Sequence, residues 1–447
     1  MIEVSTVPEV GNVGIVSKID RAAYLAGLLN LRAELPSELA GFQDMRDRAS
    51  LLVKEQAMPT TREEAWRFTD LSSLLSIQFR STPEVARLNF PQLEAFLLPE
   101  AMNSRLVFVD GLYAPDLSAI DNLPDGMMVG NLVAGTELIP AVREHLAKQP
   151  GSEEVFTALN TASFTDGAIV YVPKNQDVET PLHVLFVSTR GDSPILSHPR
   201  CLVVAETGSR VTLIEDYVTL NDGEYFTNPV TEIFLGENAE VRHTRIQKDS
   251  QQAFHIAKTA VSQARDSRYS CVALQFGAKL SRHHLEVYQT GEQTDTKMVG
   301  LTLLDGDRLG DTHSLLSLSK PYGTSDQVNK TIVSDRAHAV FNGRVWVPQA
   351  AQQTDAAQLS RNLLLSPKAR IDTKPQLEIV ADNVKCSHGA TVSQLEDDEV
   401  FYLQSRGIPA DDARKLLTYA FAIEAIDQVP IASLRDRLAS LIRTQNA

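Results

Sequence analysis

The sequence predicts a mainly β protein: a parallel β-helix flanked by a mixed, largely helical N-terminal region and a C-terminal helical domain. Three observations carry this. Strand-type patterning begins near Asp166 and persists for about two hundred residues without a helix-length apolar stripe. Inside that stretch a polar turn followed by a strand start recurs with a period of about thirty residues. Beyond Val392 the pattern turns helical. The units implied are residues 1–165, 166–392 and 393–447.

The N-terminal region reads as helix over residues 19–35 and 38–54, with Ser37 as a cap for the second stretch and Pro59 beyond its end. Strand residues 105–109, then Asp110-Gly111, then Leu112-Tyr113 predict a hairpin, because Asp-Gly suits a tight turn at positive φ. Helices are expected again near residues 138–148 and 153–161.

The β region contains short runs such as 168–172, 183–188, 201–205 and 211–214, separated by Gly, Asn, Asp and Pro. Thr207-Gly208-Ser209-Arg210-Val211, Glu237-Asn238-Ala239-Glu240-Val241 and Asp266-Ser267-Arg268-Tyr269 align, so equivalent positions step from 211 to 241 to 269. Val340 and Ile371 form a later pair at the same kind of spacing. Such periods suit a solenoid. A sandwich with strands every 8 to 12 residues is the competing arrangement, which the repeat alone does not exclude.

In the tail, residues 397–405 read as a helix with Gly407 as the left-handed residue after its end. Pro409 suits the first position of the next helix, with Asp411 and Asp412 in its first turn. Leu416, Leu417, Ala420, Phe421 and Ala425 form its apolar stripe, and Pro430 opens a last helix carrying Leu434, Leu438 and Leu441.

Composition narrows the function. The chain has 447 residues, 43% hydrophobic and 22% charged, as ordinary globular proteins do. A net charge of -15 without a Lys/Arg run argues against nucleic acid as a partner. No apolar run approaches the roughly 18 residues that span a bilayer. Residues 1–16 carry Glu3 and Glu9 and no basic segment followed by an apolar core, so no secretory signal is expected and the location expected is cytoplasmic. Cys201, Cys271 and Cys386 are far apart, which suits free thiols in a reducing compartment. No P-loop, nucleophile elbow or zinc-protease motif occurs, so energy from ATP must come through a partner.

Four segments carry a resemblance. Pro375-Gln376-Leu377-Glu378-Ile379, the run Val384-Lys385-Cys386-Ser387-His388-Gly389-Ala390-Thr391-Val392, and Phe401-Tyr402-Leu403-Gln404-Ser405-Arg406-Gly407-Ile408 together resemble the C-terminal signature of the SufB/SufD family of iron-sulfur cluster assembly scaffolds. Lys-Cys-Ser-His-Gly-Ala-Thr is similar to the SufD form. Glu64-Ala65-Trp66-Arg67-Phe68-Thr69-Asp70-Leu71 is similar to an early SufD element. The resemblance implies a right-handed parallel β-helix, a SufB partner on the β-helix, and the SufC ATPase on the tail. It also implies a nascent iron-sulfur cluster, transient and shared with SufB. The SufB scaffold cysteine falls on Ala369 here, which favours the SufD form.

The resemblance puts residues 384–391 on a strand, where Cys386 and His388 share a face with Cα atoms roughly 7 Å apart. Thiolate and imidazole are iron ligands, and two alone leave a cluster incomplete, so the remaining ligands would come from SufB. The family's role for this histidine makes His388 the stronger candidate and Cys386 the weaker. Tyr402, Arg406, Gly407, Leu417 and Phe421 are the candidates for partner binding. Adjacent His283 and His284 point to opposite strand faces, and the other histidines lack paired ligand spacing. No motif specifies a cluster type or a flavin site, and the isolated chain is compatible with a homodimer. A carbohydrate-active β-helix enzyme is the alternative, with Asp305, Asp307 and Asp311 as its candidate acids.

Overall fold

In a computed structural model, residues 20–81, 86–121, 123–135, 139–189 and 193–445 are described. The reading of residues 1–16 and the expected helix starts at Ile19 and Leu138 lie outside them. Two stacks of parallel strands face each other. One stacks Ala168–Val172, Arg200–Ala205, Val230–Leu235, Phe254–Gln263, Leu280–Gln289, Leu309–Leu318, His338–Val347 and Arg370–Ile379. The other stacks Leu182–Ser188, Arg210–Thr219, Glu240–Lys248, Arg268–Gln275, Asp295–Leu304, Thr324–Val333, Asp355–Leu364 and Lys385–Ser393. The chain alternates between stacks, so the molecule is a β-solenoid rather than a sandwich.

The repeat read from sequence is the strand register: Val211 pairs with Val241, and Val241 with Tyr269. Its turns recur too. Gly208, Asn238 and Asp266 all have positive φ, and each donates its amide to the next turn of chain, to Glu237, Arg265 and Glu292 carbonyls. Small polar residues and Gly tolerate that conformation, which explains the turn composition. The Val340–Ile371 pairing is off by one. Ile371 registers with Ala339, inside the solenoid, while Val340 pairs with Asp372 on the outer face. A longer connection supplies the extra residue, and one residue of slip exchanges the faces.

Helices cover the outer faces. The N-terminal region packs Leu25, Trp66, Leu74, Phe79 and Phe156 against Phe254 and Ile256 of the first stack and Phe226 of the short adjoining strand Tyr225–Thr227. The tail packs Ala422, Ile426, Leu434 and Leu438 against Ile246, Leu274, Leu301 and Ile332 of the second. Burying each such Leu or Ile contributes about 1.5–3 kcal/mol. The hairpin forms as expected, with Asp110 and Gly111 at φ 49 and 87.

Some local expectations shift. The first helix runs only Arg21–Leu29, capped by the Asp20 carboxylate. Residues 38–54 split into a 3-10 turn, Ser37–Phe42, and a helix, Gln43–Lys54, and the Ser37 hydroxyl bonds Glu38 instead of capping. Pro409 is the N-cap of Ala410–Ile426 rather than its first residue. That helix buries Thr418, Ala422, Ala425 and Ile426, a stripe rotated from the one expected, and Ala413 on its other side, leaving Leu416 and Ala420 exposed. No helix among the described residues is long and apolar enough to cross a membrane.

Candidate functional site

The solenoid ends on two strands, Arg370–Ile379 and Lys385–Ser393, each hydrogen-bonded to a neighbour strand on one side only. Their residues are largely exposed or half-buried, in contrast to the buried turns beneath. Ile379, Val380 and Val392 add exposed apolar surface to this end.

Register defines which residues face the lumen. Cys386 stacks on Ala356 and His388 on Gln358, both buried inward positions, so the two candidates share a face as expected. The column below His388 continues through Gln358, Gln327, Met298, Cys271 and His243. Gln358 donates to the Gln327 carbonyl at 2.8 Å, and Gln327 to the Ser314 hydroxyl at 2.8 Å. Across the lumen Thr373 donates to Ser360 at 2.9 Å. His388 is exposed because nothing stacks above it, while Cys386 is half-buried against the core. Burial raises the Cys386 thiol pKa, which keeps it protonated at neutral pH and weakens it as a free ligand.

Deeper in the same lumen lies a cluster that sequence reasoning missed. His243 Nε2 sits 3.0 Å from the Glu215 carboxylate, and its Nδ1 lies 3.0 Å from the Tyr269 hydroxyl and 4.0 Å from Cys271 Sγ. Glu215 also accepts from Tyr217 and from Thr231, the latter at 2.6 Å. Burial disfavours charge on His243, but Cys271 and Glu215 outweigh it and hold its pKa up at about 9. Burial likewise opposes the Glu215 charge, and His243 and Arg245 bring it down to about 2. The result is a buried ion pair. Stepping two residues along each aligned repeat, from 241 to 243 and from 269 to 271, would have found it.

The tail candidates divide. The helix Asp397–Ser405 ends in a Schellman pair: Gly407 N–H donates to the Gln404 carbonyl at 2.9 Å and Ile408 N–H to the Leu403 carbonyl at 3.2 Å, with Gly407 at φ 88. Tyr402 is exposed, with the Arg406 guanidinium 5.5 Å from its ring centre, and Phe401 beside it is 69% exposed. Leu417 is half-buried. Phe421 lies instead in the seam with the solenoid, where the Lys330 ammonium sits 4.5 Å from its ring centre and donates to its carbonyl at 2.9 Å. Glu424 completes this joint with Lys330 and Arg361.

The candidate acids of the glycan-cleaving alternative are all engaged: Asp305 with Arg308, Asp307 with Arg336, and Asp311 with Arg282. They do not converge on one cleft.

Comparison with known proteins agrees with this geometry. Residues 186–421 match the family described as SUF system FeS cluster assembly, SufBD core domain, and residues 33–184 match the SufBD protein N-terminal region. A SufBD family iron-sulfur cluster assembly protein of Synechocystis is 48% identical, covering 89% of this chain and 89% of its own length. A chloroplastic protein of Arabidopsis thaliana is 35% identical, covering 91% and 87%. The iron-sulfur cluster assembly protein SufD of Escherichia coli is 32% identical, covering 86% and 88%. With both domain matches and these relatives along most of its length, the chain belongs to the SufB/SufD family of iron-sulfur cluster assembly proteins.

Proposed function

We propose that this chain is the scaffold subunit, without catalytic turnover of its own, of a complex with a SufB partner and a SufC ATPase. The observation that carries the reading is His388, a solvent-exposed imidazole on a lumen-facing position of a final strand that is paired on one side only. An open parallel edge is a template for a strand from another subunit. Docking there would bring the partner's ligands beside His388 and Cys386, so that a nascent cluster is shared and transient. SufB is the proposed occupant, and a second copy of this chain is the occupant in its absence. The exposed Phe401, Tyr402 and Arg406, with the Gly407 turn and the neighbouring Leu417, support a docking face for SufC, and Phe421 holds that face on the solenoid. Three free cysteines suit a reducing compartment such as the cytoplasm.

The test is His388→Ala in the co-purified complex. A neutral imidazole ligates iron or moves protons near pH 7, and no neighbouring side chain replaces it. Iron and sulfide recovered after anaerobic assembly should fall to background, while subunit composition and size stay the same. Cys386→Ser should retain most of the yield. Full cluster recovery by an intact His388→Ala complex would return this histidine to a passive role.

A further inference from the structure

The Arg67-Phe68-Thr69 segment has no part in the reading above, yet it walls a cavity of about 340 Å³ on the outer face of the first stack. Its anchors are deeply set. The Arg282 guanidinium lies 4.0 Å from the Trp66 ring centre, and Thr69 donates to the buried Asp311 carboxylate at 2.6 Å. Arg282 pairs with the same carboxylate, and His313 Nε2 lies 3.0 Å from its other oxygen. With those groups committed to structure, Arg62 and Arg67 remain at the wall of the cavity.

The floor is a ladder built by strand register. His284 stacks under His313, His313 under Asn342, and Asn342 under Lys374, one residue per solenoid turn at a strand spacing of about 4.8 Å. A second cavity of about 100 Å³, lined by Trp66, Arg282 and His284, shares Ala65 and His313 with the first, so the cleft follows the ladder. Among the lining residues of the larger cavity, Arg62, Arg67 and Lys374 face a single carboxylate, Glu64, which already pairs with Lys374. The wall is thus net positive, with a carboxamide at its floor. Guanidinium forks match the oxygens of phosphate, and an ammonium adds a point charge.

We propose that this cleft binds a small phosphate-bearing anion, held by Arg67 and Lys374 with Arg62 at its mouth and Asn342 donating from the floor. The site lies within this one chain and stands or falls independently of the cluster reading. Calorimetric titration of the full chain with inorganic pyrophosphate and, separately, with ADP at fixed ionic strength tests it. Saturable one-to-one binding is expected. Arg67→Glu and Lys374→Glu should each weaken it about tenfold or more, and the double variant should abolish it. The tighter of the two probes identifies a free or a nucleotide-borne phosphate. Arg48→Glu, outside the cleft, changes charge equally and should leave affinity within about twofold. Because Arg67 and Lys374 are not buried, the variants should melt like the parent chain. No saturable binding of either probe, binding unchanged in the double variant, or equal weakening by Arg48→Glu would each overturn the site.

Discussion

Glu215 and His243 face each other in the lumen, completely removed from solvent, and their charges depend on one another. Removing one partner of such a pair costs roughly 3–5 kcal/mol, because the other charge is left buried. His243→Gln should therefore lower the unfolding free energy, measured by denaturant titration, by that amount near pH 6. The pH dependence has a definite sign. His243 is raised from 6.5 to about 9, so its contribution is complete below about pH 6.5 and fades as pH rises through 9. Glu215 is lowered from 4.5 to about 2, so its contribution is complete above about pH 4.5 and fades as pH falls towards 2. Unfolding at pH 6, 8 and 9.5 should show the gap between parent and His243→Gln narrowing with pH. A constant gap would mean that packing, not charge, is what the substitution removes. That Cys386 and His388 share a face of one strand, by contrast, was readable from sequence, because strand alternation is local.

The tail shows how one helix divides its labour. Ala410–Ile426 presents Ala422, Ala425 and Ile426 to the solenoid, two of them small enough to let the helix lie close, and Phe421 sits at the margin under Lys330. Phe421→Ala should loosen the tail, measured as faster amide exchange over residues 410–426, and should weaken the proposed SufC docking only through that loosening. Tyr402→Ala removes an exposed ring, so it should leave exchange unchanged and reduce SufC capture directly. Equal exchange effects from both would contradict this division. The helix Asp397–Ser405 and its Gly407 end were readable from sequence because capping chemistry is local. The buried stripe of the next helix was not, because Ala and Thr score weakly as apolar and Leu416 scores strongly, while the surface they meet is set by strands a hundred residues away.

For the molecule as a whole, two covered faces and one uncovered end leave the final strands as the proposed place for a partner. The N-terminal region and the tail each seal an outer face, and the final strands keep open edges with Ile379, Val380 and Val392 exposed. Val392→Lys should weaken strand-edge association, seen as a shift towards monomer in sedimentation, with the melting temperature unchanged. Persistence of the parent assembly would move the interface elsewhere. The sequence by itself determined the strand-rich middle, its period of about thirty residues, the turns that keep it and the tail's local signals, because strand alternation, turn conformation and capping act within a few residues, while solenoid over sandwich was decided by which strands pair. Only the tertiary structure decided the rest. Whether Ile371 answers Val340 or Ala339 depends on one residue in a connection. The meeting of Glu215 with His243, of Thr69 with Asp311 and of Lys330 with Phe421 depends on which strands stack and which helix closes over them. Those contacts join residues distant along the chain, and charge in a low-dielectric interior acquires its value from such neighbours alone.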